Sequence, residues 1–98
     1  MVALLWIWLA ALAPDPVRDG ARVVLEARCG KCHDGAQATA KPAALAIFDL
    51  HEDDWPARLH DAQLPKLLGR LVGMGAPADE RARVSAFVDA ERKRRGAH

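Results

Sequence analysis

The chain has no tyrosine, two phenylalanines, two cysteines and two methionines among 98 residues. Two cysteines exclude a disulfide-stapled framework, which needs several pairs. Scarce aromatics leave little bulk for a core: of the three tryptophans, Trp6 and Trp8 lie near the N-terminus, and Trp55 is alone in the body. A formal net charge of +1 excludes the broad basic stripe of a nucleic-acid binder. The one basic run, Arg92-Lys93-Arg94-Arg95, suits the negative end of a helix dipole. The acidic stretch from Asp49 to Asp54 balances it. Nowhere do apolar and polar residues alternate as in a strand, and there is no internal repeat. A single domain of this size keeps a thin margin over chain entropy, so a staple or cofactor would help it fold.

What is present begins with residues 2–13, VALLWIWLAALA, an unbroken apolar run ended by Pro14-Asp15-Pro16. At ~1.5 Å per residue this run is too short to cross ~30 Å of hydrocarbon, and it matches the apolar region of an export signal. Residues 1–13 therefore read as a signal peptide or a short N-terminal anchor through which the chain associates with a membrane, and residues 14–18 as a linker. Residues 19–98 form the functional domain. The expected location is periplasmic or otherwise extracytoplasmic, where free thiols do not persist without a reason.

The rest of the chain carries helical spacing. GARVVLEAR, from Gly20 to Arg28, places Val23, Val24 and Ala27 on one helix. Asp34 to Lys41 is a small polar loop, Pro42 to Leu50 (PAALAIFDL) holds one or two helical turns, and Asp53-Asp54-Trp55-Pro56 is a turn. A helix is expected to start near Asp61 as its cap, tolerating Pro65 in the first turn and burying Leu64, Leu67, Leu68, Leu71 and Val72. Gly73-Met74-Gly75-Ala76-Pro77 ends it, and Ala78 to Arg95 forms the last helix with Val84, Phe87 and Val88 on one face. The expected fold class is small and all-α.

Both cysteines fall in RCGKCHDG, Arg28 to Gly35. A structural zinc site needs four ligands, so Cys29, Cys32 and His33 would have to recruit His51 or His60, and neighbouring Cys and His side chains on one turn fit a tetrahedron poorly. A thioredoxin-like dithiol belongs in a strand-helix-strand unit, for which there is no strand pattern. C-x-x-C-H is, by contrast, the attachment sequence for a c-type haem. Cysteines three apart share a helical turn, so Cys29 and Cys32 can form thioethers with the two vinyl groups while His33 supplies the proximal iron ligand.

With CGKCH, a later proline, a methionine in GMGAP and a C-terminal amphipathic helix with a central aromatic residue, the chain from about residue 19 to 95 resembles a small single-haem class I cytochrome c. The resemblance implies a bundle of three to four helices wrapped around one covalently attached haem c. It implies that Gly20 lets the first helix approach the last beside Phe87, and that Pro42 accepts the second ring proton of His33. It makes Met74 the distal iron ligand, with His51 and His60 as competitors. Trp55 either touches the haem edge or packs as a core residue. No carboxylate pair, nucleophile-base pair or phosphate loop accompanies these residues, so the expectation is an electron carrier between redox partner proteins rather than an enzyme. If Met74 does not ligate, the alternative is a five-coordinate or bis-histidine haem protein that binds or senses a gas. A haem subunit of a larger oxidoreductase is the third reading.

Overall fold

The computed structural model describes residues 15–96; the signal-or-anchor expectation for residues 1–13 lies outside the described residues. Helix α1 (Pro16–His33) starts where Asp15 accepts hydrogen bonds from the amides of Val17 and Arg18, both at 3.1 Å, with Pro16 in the first helical position. An Asp cap and a proline whose φ is already helical are a strong start signal. Residues 15–18 of the stretch read as linker are thus the cap and first turn of α1. That turn faces solvent and has no apolar period to announce it.

After α1 come two single turns, α2 (Pro42–Leu45) and α3 (Trp55–Arg58), a 3-10 turn at Asp61–Gln63, and the longer helices α4 (Leu64–Gly73) and α5 (Ala78–Arg94). The described residues contain no strand, and the protein is all-α. Three helices exceed two turns, and the two single turns take the number beyond the three to four expected.

Helix α5 packs on α1 and on α4. The buried face of α1 is Ala21, Val24 and Leu25, whereas Val23 and Ala27 are exposed. Gly20 does not serve the crossing: a Cβ there would meet nothing within 4 Å. The backbones are therefore not held close enough at that point to require glycine. On α5, Val84, Phe87 and Val88 are buried as the spacing predicts. The aromatic residues of the described chain are few, but they meet. Trp55, 1 % exposed, lies with its ring centroid 5.0 Å from Phe87 and 6.5 Å from Phe48. The three rings form the centre of the core, at separations where edge and tilted contacts add to area burial.

Leu64, Leu67 and Leu71 bury the inner face of α4. Val72 does not join them and is 59 % exposed, because it sits about 100° round the helix from Leu71, off the edge of that stripe. Asp61 is not the cap either. It accepts from Arg95 Nη1 at 3.0 Å, and the turn is instead closed by the His60 amide donating to Gln63 Oε1 at 2.8 Å. Helix α4 ends in a Schellman arrangement: the Ala76 amide reaches the Leu71 carbonyl and the Gly75 amide reaches Val72, both at 3.0 Å. Gly75 has φ +73°, the left-handed value this motif requires at that position.

Two arginines lock the helices together. Arg95 donates to the carbonyls of Leu59 and Pro56, both at 2.7 Å, tying the end of α5 to α3 and the residue that follows it. Arg28 on α1 forks onto Glu80 on α5 through two bonds of 2.9 Å. That fork, by hydrogen bond and charge, holds the Glu80 carboxyl below its ordinary pKa. A depressed carboxyl contributes stability above its unfolded pKa and loses it as pH falls through the folded value. The expected result is that wild type exceeds Glu80→Gln in urea midpoint at pH 7, and that the gap closes on titration below the ordinary glutamate range of about 4.3. A gap that widens on acidification would contradict the assignment.

Candidate functional site

The CGKCH segment forms the last turn of α1, where helix carbonyls have no partner further along the helix. The following loop supplies partners for four of them. The Asp34 amide donates to Gly30 at 3.1 Å, the Lys41 amide to Cys32 at 3.1 Å and the Leu50 amide to His33 at 2.7 Å. Thr39 Oγ1 donates to the Lys31 carbonyl at 2.6 Å. Arg22 reaches back from α1 to the Leu50 carbonyl. Asp49 accepts from the amides of Gly35 at 2.8 Å and His51 at 2.9 Å, and those amides, led by Gly35, hold its carboxyl below the usual aspartate value. A loop without regular structure is thereby fastened onto the turn that carries both thiols and the imidazole.

Beside this turn opens a cleft of about 190 Å³. Cys29 and His33 line it from α1, Ile47 and Phe48 from the loop, and Leu59 from the turn after α3. Gln63, Lys66, Leu67 and Arg70 close the far side. The cleft is below the ~300–1,000 Å³ of sites that enclose a drug-sized ligand, so a larger group stands partly outside it. Burial pushes the Cys29 thiol above its ordinary pKa, and the nearby charge of Arg70 opposes that shift. Cys32 is also a free thiol, half-buried like Cys29.

His33 is held on two sides. Its ring stacks on Phe48 with centroids 4.1 Å apart and planes 6° from parallel. Its Nδ1 faces the Phe48 carbonyl at 3.3 Å. A carbonyl oxygen only accepts, so this bond exists with the proton on Nδ1, which leaves the in-plane lone pair on Nε2 for a ligand.

No family model, curated protein or solved structure matches the chain. The site therefore rests on its own geometry. Among the described residues no three His, Cys, Asp or Glu side chains are placed to hold a metal ion between them. His51 and His60 are exposed, and neither lines the cleft.

The structure brings together Cys29 and His33 at the cleft, with Cys32 on the same turn. It places the others elsewhere. The Pro42 carbonyl receives the Ala46 amide at 3.0 Å, and the carbonyl facing His33 belongs to Phe48. Trp55 is a core residue one ring behind Phe48. Met74 caps the C-terminus of α4, is 49 % exposed and does not line the cleft as it stands. It does continue the cleft-facing row, since Gln63, Lys66, Leu67, Arg70 and Met74 recur at helical spacing. Ile47, Phe48, Leu59, Gln63, Lys66 and Arg70 also line the cleft, and the sequence reading assigns none of them to the site. Phe48 had a signal, as the only aromatic residue between the cysteine pair and Trp55. Lys66 and Arg70 read only as the solvent face of an amphipathic helix.

The residues present suit a covalently held haem. Two unpaired thiols share one turn, an imidazole beside them has its Nδ1 engaged by a carbonyl, and apolar side chains form much of the cleft wall. Stacking covers the face of the His33 ring, while ligation would use its edge, so the two do not compete.

Proposed function

We propose that the protein is an exported c-type cytochrome that carries single electrons between larger redox partner proteins. The observation that carries this reading is the convergence of Cys29 and His33 of CGKCH on one apolar cleft, with Nδ1 of His33 engaged and Nε2 left free. Haem c, when bound, supplies a ferrous-ferric couple. Cys29 and Cys32 would hold the group by thioether links, and His33 would ligate its iron. Ile47, Phe48, Leu59 and Leu67 exclude water from the inner wall. Met74 would be the second iron ligand in this reading, if the GMGAP loop after α4 rearranged to bring its sulfur to the cleft. Both glycines flanking it lack a Cβ, and an added one would meet nothing within 4 Å at either.

The exposure of Met74 favours a second reading, in which the sixth position stays open and the protein binds or senses a small gas. The two separate on one measurement. If Met74 ligates, the ferrous wild-type protein resists carbon monoxide and its ferric form shows the near-infrared sulfur-to-iron band. Met74→Ala then loses the band, admits carbon monoxide and lowers the reduction potential, because a thioether favours the ferrous state. Ready binding of carbon monoxide by wild type, with a spectrum indifferent to Met74→Ala, selects the gas-binding reading.

A further inference from the structure

We propose that Phe48 is the positioning residue for His33, fixing the plane of the imidazole with its ring and the tautomer with its own main-chain carbonyl. The inference rests on the haem reading above and adds to it a residue that neither CGKCH nor the family resemblance indicates.

Two independent contacts from one residue restrict the two freedoms that matter for a ligating histidine. Rotation about the bond to the ring changes the direction of the in-plane Nε2 lone pair; a flat partner at 4.1 Å and 6° resists it, since tilting the imidazole drives its edge into the Phe48 face. Proton exchange between ring nitrogens would put the proton on Nε2 and block ligation; the Phe48 carbonyl, 3.3 Å from Nδ1, favours the other tautomer.

Phe48 can do this because it is itself fixed. It is buried, its other neighbour is the Trp55 ring, and its amide donates to the Ala44 carbonyl at 3.3 Å. Two residues on, the Leu50 amide holds the His33 carbonyl at 2.7 Å, so main chain and side chain of His33 are gripped by the same short segment. The path from the core to His33 is a ring on a ring on a ring: Phe87, Trp55, Phe48.

The test uses the haem-bearing full chain, with proton NMR of the ferric form and the reduction potential as readouts. The haem methyl shifts report the orientation of the axial imidazole plane, which a merely structural role for Phe48 would leave unchanged. In wild type, the His33 ring protons should show cross-relaxation to the Phe48 ring, and the Nδ1 proton should exchange slowly with solvent. Phe48→Leu keeps the carbonyl and apolar character but removes the flat face; it should reorder the methyl shifts and move the potential, while Phe48→Tyr restores the wild-type pattern. If Phe48→Leu does not fold, the wild-type cross-relaxation and Nδ1 exchange decide the matter alone. Haem retained through denaturation, with methyl pattern and potential indifferent to Phe48→Leu or no cross-relaxation in wild type, overturns the role of Phe48 only. Haem lost from wild type on denaturation overturns the cytochrome reading, and this proposal with it.

Discussion

A Cys29→Ala, Cys32→Ala double variant is expected to lose all of its haem on denaturing electrophoresis, while wild type matured in a compartment with haem-attachment machinery keeps it. The reason is bond type. A haem held only through its iron relies on coordinate bonds and a small, open cleft, all of which vanish on unfolding. A thioether survives unfolding. Each single variant, Cys29→Ala or Cys32→Ala, should retain haem through the remaining link at lower yield. His33→Ala should show the converse, with haem still attached to the denatured chain but the native absorption spectrum of its iron altered. Covalence and ligation thus fail separately, by different residues of the same helical turn. Wild-type protein that releases its haem under these conditions removes the basis of the proposed function.

The second large effect falls on the core. Trp55→Ala is expected to cost ~3–5 kcal/mol, the range for truncating a buried aromatic residue, out of a total stability of ~5–15 kcal/mol for a domain of ordinary size. Trp55 is 1 % exposed and joins the rings of Phe48 and Phe87. Its removal opens a cavity bounded by helix α5 on one side and by the site loop on the other. Urea denaturation of the haem-bearing protein measures the loss. Val72→Ala, on the exposed face of α4, is the control and should fall within ~0.5 kcal/mol of wild type. A double variant Trp55→Ala, Phe87→Ala should cost less than the sum of the two, since the rings are in contact and share the cavity. A Trp55→Ala loss below ~1 kcal/mol would mean that Trp55 is not the keystone described here.

How much of this was legible beforehand depends on which force shapes each element. Helix α5 was readable because acidic residues at its start, basic residues at its end and an apolar face at Val84, Phe87 and Val88 all agree. The first turn of α1 was not, because it is set by the Asp15 cap and Pro16 rather than by burial, and a period-based reading sees only burial. The resemblance gives Gly20 a close approach, but a Cβ there would meet nothing within 4 Å, and the buried face of α1 is Ala21, Val24 and Leu25. Asp61 looked like a cap, yet Arg95, more than thirty residues later, takes its carboxylate. A long-range partner of that kind leaves no local trace.

At the site, CGKCH announced Cys29, Cys32 and His33 because the spacing itself encodes one turn of helix. Phe48 was hidden in PAALAIFDL because its importance comes from two contacts made across the loop, one by side chain and one by main chain. Trp55 was ambiguous between cleft and core, and the structure places it in the core with Phe48 between it and the cleft. Met74 and its glycine neighbours were visible as a loop, and Gly75 does take the left-handed angle, but in the service of closing α4.

The fastening of the loop onto the last turn of α1 has a consequence for how this chain can vary in length. Lys41 is pinned to Cys32 and Leu50 to His33, so the segment is divided into two closed circuits sharing one anchor. Residues added between Asp34 and Lys41 lengthen the first circuit alone, at a closure cost that grows only with the logarithm of its size. Residues added between Lys41 and Leu50 displace Phe48 from His33. The first circuit is the one in which this chain can take added residues, and the second is the one whose length the imidazole sets.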